Sequence, residues 1–403
     1  NDPATTEIYT NAESSAASDV YKRQAMSPAA EYLASLPVRP VYRPTDPDEI
    51  RAVLGGILPE EGSDAADVVA ELASKIEPYV TSHASGRYFG FVIGGLHPAA
   101  YGAELLTATW DQNAGLYAVA PGVAIAEEVA TGWLLDILDL PSDASVGFVT
   151  GGQMANFTCL AAARHDVLRK AGWDVEADGL QGAPKVNVVV KTERHSTVPR
   201  ALRNLGLGDS SAIEIPSDEQ SRIDPLALGN RLERLSGPTI ICVEAGNINF
   251  GSFDDYGAVA DAADQHRARG NPTWVHVVGA FGLWARAAKS LTHLTADLER
   301  LDSWSTDAHK ILNVGYDSGL AICKHSAAHR AAMSVQAAYL VQAEGGVRDQ
   351  MDWNPDFSRR ARGLGAYAIL RSLGRSGVDD MITRTNRLAR RFAEGLEAGG
   401  DVE

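Results

Sequence analysis

The chain has 403 residues, 45% of them hydrophobic and 22% charged, which describes a globular protein too long for one ordinary domain. Thirty-six Lys and Arg against 52 Asp and Glu leave a net charge of -16, which argues against non-specific binding to nucleic acid or to an anionic membrane. No apolar run reaches the ~18–20 residues a membrane-spanning helix needs, and no signal peptide is visible.

Residues 1–24 are rich in Ser, Ala, Asn and Thr without periodicity, and are expected to be a disordered or non-native leader. The piece SAASDVYKRQ at 15–24 resembles a translated cloning adapter. Residues 25–85 read as an extended, proline-spaced segment with helices at about 46–58 and 64–78, capped by Asp46 and Ser63. From about residue 98, helical stretches at 153–171, 197–205 and 254–269 separate short apolar runs. The runs SVGFVTGG, KVNVVVKT, PTIICVEAG, TWVHVVGAFG and SGLAICK predict strands of a mostly parallel sheet covered by helices on both faces. A long helix is predicted near 358–399, and the chain stops at Gly-Gly-Asp-Val-Glu, where a strand is expected; this reads as a truncated carboxyl end. Cys159, Cys242 and Cys323 are far apart in apolar contexts, which fits a reducing, cytoplasmic setting better than a disulfide framework.

Several stretches could carry chemistry. VTGGQMANFTCLAAAR at 149–164 is strand, glycine turn and helix, so Gly151 and Gly152 let backbone N–H groups close around an anion; a tight strand-to-helix turn is an equal reading. Lys310 sits beside Ile311 and Leu312, where an uncharged amine nucleophile is favoured, although a lone lysine of this kind more often snorkels. His195 is expected to begin a helix with Ser196 and Thr197 at its cap, and His309 and His276 each have a structural reading. The acids Glu127, Glu128, Asp254 and Asp255 are expected to be solvated or capping. There is no metal-ligand spacing, no GxSxG elbow and no GxGxxG after a strand.

In order, these signals are more specific. HASGRYFGFVIGG, DQN, FVTGGQMANFTCLAAAR, ERHST, EAGNINFGSFDD, WVHVVGAFG and STDAHKILNVGYDSG are followed by AAYL and DWNPDFSRRARGLGAYAILRSLG. Over about residues 28–403 the chain resembles the group II pyridoxal-phosphate (PLP) dependent amino acid decarboxylases, which include the aromatic amino acid and glutamate decarboxylases. The resemblance implies an α/β protein of PLP fold type I, with a large PLP-binding domain at 86–375 and the start of a small carboxyl-terminal domain at 376–403. It also implies a homodimer with active sites at the subunit interface, to which residues 25–85 contribute.

The same resemblance assigns roles. Lys310 would form the Schiff base with PLP, and His309, Gly151, Gly152 and Gln153 would hold its phosphate. His195 would stack on the ring and help hold the substrate carboxylate, Asn247 would lie near the phenolic oxygen, and Ala280 would pack under the ring. Tyr339 matches the loop tyrosine that protonates the carbanion after CO2 departs, and Phe89 and Gly90 would lie by the substrate side chain. Tyr88, Phe89 and Trp110 weakly suggest an apolar or aromatic substrate.

One position departs from the pattern. Two residues before Ala280 the family has an aspartate that keeps the pyridine nitrogen protonated, and here that residue is Val278. An apolar wall favours the neutral nitrogen, a weaker electron sink. Three explanations stand: a poor or inactive member, another group that supplies the contact, or an introduced change or sequence error. The leading expectation is decarboxylation of an L-amino acid to an amine and CO2, impaired by Val278. Its rivals are other PLP chemistry (amino transfer, aldehyde formation or a lyase reaction) and a pseudoenzyme.

Overall fold

Strands of alternating or continuous apolar residues form one sheet, and amphipathic helices cover it. The structure, a computed structural model, describes residues 25–334 and 347–400. The chain divides into two units, Asn1–Gly95 and Leu96–Glu403.

The first unit contains α1 (Met26–Ser35), α2 (Pro47–Leu54) and α3 (Ala65–Ile76). Asp46 caps α2 through the N–H of Asp48, as expected, and Pro47 suits the first helical position. The cap of α3 is Asp64, which accepts from Ala66, and not Ser63; the helix starts one residue later than its spacing suggested. None of the three helices buries a residue.

The second unit opens with α4 (Pro98–Trp110) and α5 (Pro121–Ile137). Next come β1 (Ser145–Val149), α6 (Gly152–Lys170), α7 (Val175–Asp178), β2 (Asn187–Lys191), α8 (Thr197–Asn204) and β3 (Ile213–Ile215). Then follow α9 (Pro225–Glu233), β4 (Thr239–Glu244), α10 (Tyr256–Ala268), β5 (Thr273–Val278), β6 (Ser303–Asp307), β7 (Gly319–Cys323), α11 (Ser326–Met333) and α12 (Gly363–Gly399). The sheet order is β1-β7-β6-β5-β4-β2-β3. Four of its six pairings are parallel, and β7 runs antiparallel to both β1 and β6.

Side chains alternate across the sheet. Val275, Val277, Ile241, Val243 and Val189 join a core with Leu134, Leu138 and Trp304. Trp274, Val278, Ile240, Cys242, Val188 and Val190 face the other way, onto residues of α6 and α8. Of the five parallel strands, β2, β4, β5 and β6 lead, on the same edge, into segments that carry candidate residues: His195 follows β2, Asn247 follows β4, Ala280 follows β5 and Lys310 follows β6. This carboxyl edge is where α/β sheets bind ligands.

Two strands have no counterpart in the sequence reading. The strand β3 is only three residues long, and β6 is the polar run SWSTD, whose alternation of Ser303, Ser305 and Asp307 with Trp304 and Thr306 lacks an apolar signal. Two acids expected to be solvated or capping are buried instead. Glu127 is 1% exposed because Arg359, equally buried, pairs with it at 3.0 Å and donates to the carbonyls of Ala114 and Phe148. Asp254 is 4% exposed and accepts the N–H groups of Ile223 and Glu244, both at 2.7 Å. Burial raises its pKa. Asp255 does cap α10, through Ala258. The long helix α12 begins at Gly363 and is broken at Gly374, where φ is 60°.

Candidate active site

A cavity of about 300 Å³ lies at the carboxyl edge of the sheet. Gly151, Gly152 and Gln153 line it from the start of α6, His195 from the start of α8, Val278 and Ala280 from the end of β5, and His309 and Lys310 from the segment after β6. Asn247 is not among the lining residues. Its amide builds the turn after β4, accepting from the N–H groups of Asn249 and Phe250 and donating to Glu244 at 3.0 Å. Phe89 and Gly90 belong to the first unit, where Phe89 is 79% exposed. Tyr339 lies outside the described residues.

At one end of the cavity Asp307, 2% exposed, organises three groups. Its carboxylate lies 3.1 Å from Lys310 Nζ and 3.2 Å from His309 Nε2, and accepts the Gly152 N–H at 2.5 Å. A Cβ at Gly152 would meet Asp307 Oδ2 at 2.8 Å, and one at Gly151 would meet His309 Cε1 at 3.0 Å. Glycine is thus the residue that lets the turn close on these side chains. His309 Nδ1 accepts the backbone N–H of Ser318 at 3.1 Å, which leaves the ring proton of the neutral form on Nε2, toward Asp307. The ring also packs against Tyr316, 4.3 Å between centroids. Burial and Lys310 lower the pKa of His309, against an opposing pull from Asp307.

At the other end the lining side chains Val278, Ser305, Asn156 and Thr197 are uncharged, and the nearest carboxylate, Glu244 beside Val278 on β4, is paired with Lys191 at 2.6 Å. Val278 pairs with Ser305 across β5 and β6, and the Ser305 hydroxyl donates to Asn156 Oδ1 at 2.6 Å. The sequence reading missed Asn156, Thr197, Ser305 and Asp307, all of which line the cavity. Helical spacing could have found Asn156, one turn beyond Gly152 on α6. Ser305 and Asp307 needed β6 to be recognised first. The helix N-terminus at His195 also differs from expectation: Ser196 makes no side-chain cap, and the His195 imidazole itself accepts the N–H of Thr197 at 3.3 Å.

A model of the pyridoxal-dependent decarboxylase conserved domain matches residues 47–403. The chain belongs to this family. It is 26% identical over 389 residues to the aromatic-L-amino-acid decarboxylase of Bacillus atrophaeus, covering 94% of this chain and 77% of that protein. The crystal structure of Oryza sativa TDC with PLP and tryptamine superposes with a TM-score of 0.82 at 25% identity, over 90% of this chain and 76% of that one. Mouse CSAD shares the fold, with a TM-score of 0.84 at 21% identity over 98% of this chain and 80% of that one. The family's chemistry is PLP-dependent amino-acid decarboxylation, and PLP is the cofactor.

The residues present suit that cofactor on their own terms. Gln153 Nε2 is buried without a hydrogen-bond partner beside the glycine turn, a donor set aside for an acceptor such as a phosphate oxygen. The N-terminus of the 19-residue helix α6 favours an anion at the same place, and Lys310 supplies a primary amine. Among the described residues there is no group of three or more metal-ligating side chains, and no helix is long and apolar enough to cross a membrane.

Proposed function

We propose that this decarboxylase family member converts an L-amino acid to its amine and CO2, at a rate lowered by Val278. The observation that carries the reading is the convergence of Lys310, the Gly151–Gly152 turn and the unpartnered Gln153 amide on one cavity. When bound, PLP supplies a conjugated ring that takes up the electron pair released as CO2 leaves. Lys310 would provide the amine that tethers it, and His309, Gly151, Gly152 and Gln153 would hold its phosphate. Asp307 keeps Lys310 and His309 in place through its contacts with Lys310 Nζ and His309 Nε2. His195 would offer a ring face and a hydrogen bond to the substrate carboxylate, Ala280 would leave room for the cofactor ring, and Asn247 would approach the phenolic oxygen from the turn after β4. Tyr339, Phe89 and Gly90 complete the substrate side by their match to the family motifs.

We assign the chain to the cytoplasm, from its three unpaired cysteines, and to a homodimer. The exposed apolar side chains of the first unit, among them Ile57, Leu58, Phe89 and Phe91, support a partner surface there. Val278 favours a second reading, a catalytically weak or inactive member that still holds PLP.

The test is a visible absorption spectrum of the purified protein with added PLP, beside Lys310→Ala and an assay of CO2 release. A visible band that is lost in Lys310→Ala, with amine and CO2 formed in equal amounts, is the expected result. The band without any product, even in Val278→Asp, would leave the second reading. No band in either protein would remove both.

A further inference from the structure

A chain of hydrogen bonds runs from the cavity into the core behind it, and the direction of each bond follows from its first donor. The Thr197 backbone N–H, which can only donate, points at His195 Nδ1 at 3.3 Å, so Nδ1 carries no proton. Thr197 Oγ1 lies 2.8 Å from the same nitrogen and must give it its single proton. That hydroxyl then accepts from Asn156 Nδ2 at 3.0 Å, which turns Asn156 Oδ1 to the far side. There Oδ1 receives the Ser305 hydroxyl at 2.6 Å, and it receives His276 Nε2, at 2.9 Å, as a second donor. The last link is Ser303 Oγ, 2.9 Å from His276 Nδ1, which accepts from Trp274 Nε1 at 2.8 Å. Asn156, His276, Ser303 and Trp274 are all 1% exposed or less, so no water competes for these bonds.

We propose that Thr197, Asn156 and His276 are positioning residues that hold His195 as a neutral ring with its proton on Nε2. His195 then meets the contents of the cavity as a hydrogen-bond donor and not as a proton acceptor. A proton on Nδ1 would face the Thr197 N–H, and the hydroxyl, already accepting from Asn156, would have to accept from Nδ1 as well and turn its own proton away from the network. Burial and Lys310 also disfavour a charged His195, while Glu244, whose carboxylate accepts the His195 N–H at 3.1 Å, and Asp307 favour one. The decarboxylase reading gives the donor its use, a neutral hydrogen bond to the substrate carboxylate. The tautomer itself does not depend on that reading.

The experiment is nitrogen-15 NMR of the full chain labelled at histidine, without PLP and with it, with the His195 signals assigned by their loss in His195→Gln. Near neutral pH, Nδ1 is expected to be unprotonated and Nε2 protonated. Thr197→Val removes the hydroxyl donor and should raise the protonation midpoint of His195 by three- to tenfold in proton affinity, and Thr197→Ser should restore it. Asn156→Asp replaces the donor with an acceptor and should move part of the neutral ring's proton to Nδ1, whereas a purely electrostatic effect would raise the midpoint and leave the tautomer alone. A parent His195 protonated on Nδ1, or a Thr197→Val protein with unchanged tautomer and midpoint, would overturn the proposal. Because the readout is the ring itself, inactivity toward every amino acid would count against the decarboxylase reading and leave this one standing.

Discussion

The two ends of the cavity are built on opposite principles. At the end that includes Lys310 there is an aspartate against a lysine and a histidine, a helix N-terminus and an unpartnered amide. At the end that includes Val278 the lining neighbours Ser305, Asn156 and Thr197 are uncharged, and the Glu244 carboxylate beside Val278 is already paired with Lys191. The first end offers an amine, a helix N-terminus and a free amide donor, and the second presents valine at position 278. On the proposed function, holding a cofactor and activating it are separable in this chain, because different residues would serve each.

Val278→Asp breaks the comparison most strongly. Restoring the carboxylate should raise kcat on the order of a hundredfold, since ~1.4 kcal/mol of transition-state stabilisation corresponds to a factor of ten. PLP affinity should change much less than kcat. Without cofactor, the new carboxylate would be buried between Ser305 and the Glu244 carboxylate, its two cross-strand neighbours, so thermal stability of the PLP-free protein should fall. A calorimetric scan with and without PLP, beside steady-state kinetics, checks both halves. An increase in PLP affinity that accounted for the whole gain in rate would merge the two ends into one.

Gly152→Ala acts on the opposite end. Its Cβ would lie 2.8 Å from Asp307 Oδ2, an atom held in place by Lys310 Nζ at 3.1 Å. Displacing Asp307 should cost about 1–2 kcal/mol, the range for small overpacking, and weaken PLP about tenfold. With PLP saturating, kcat should stay within about twofold of the parent. Equilibrium dialysis against PLP and kinetics at saturating cofactor separate the two effects, and a large fall in saturated kcat would contradict the division.

The sequence was legible where its signals were local and apolar. The strand–glycine–helix pattern around Gly151 predicts the start of α6 to within a residue, and the valine runs predict β2 and β5. Lys310, His309, His195 and Val278 were recognised through motif order, and the folded chain brings all four to one cavity. Polar partners were harder to see. Ser305 and Asp307 sit on a strand whose outward alternation is serine and aspartate, so nothing hydrophobic announced it. Glu127 looked solvated because the arginine that buries it, Arg359, lies 232 residues away in sequence. Thr197 read as a helix cap, while in the fold it serves as the donor to the imidazole that does the capping.

Acid sharpens the comparison further, because it separates a histidine of the cavity from one of the scaffold. His329, in α11, is completely buried, with Nε2 donating to the Trp353 carbonyl at 3.0 Å and Nδ1 2.8 Å from Ser145 Oγ. Burial lowers its pKa from 6.5 to about 3. A group whose folded-state pKa is depressed gives stability that is present above its unfolded value and lost as pH falls toward the folded one. The unfolded chain takes up this proton below about pH 6.5 and the folded chain does not until about pH 3, so stability should decline across that window. The slope from this one proton is at most ~1.4 kcal/mol per pH unit. His329→Gln, which can keep a donor toward Trp353, should flatten the decline between pH 6.5 and 4 while leaving neutral-pH kinetics close to the parent. Urea unfolding at several pH values reads the slope, and an unchanged slope in His329→Gln would assign the acid sensitivity to other groups. His195, only half-buried at the cavity and also lowered in pKa, should answer the same acidification in the rate, with little change in unfolding.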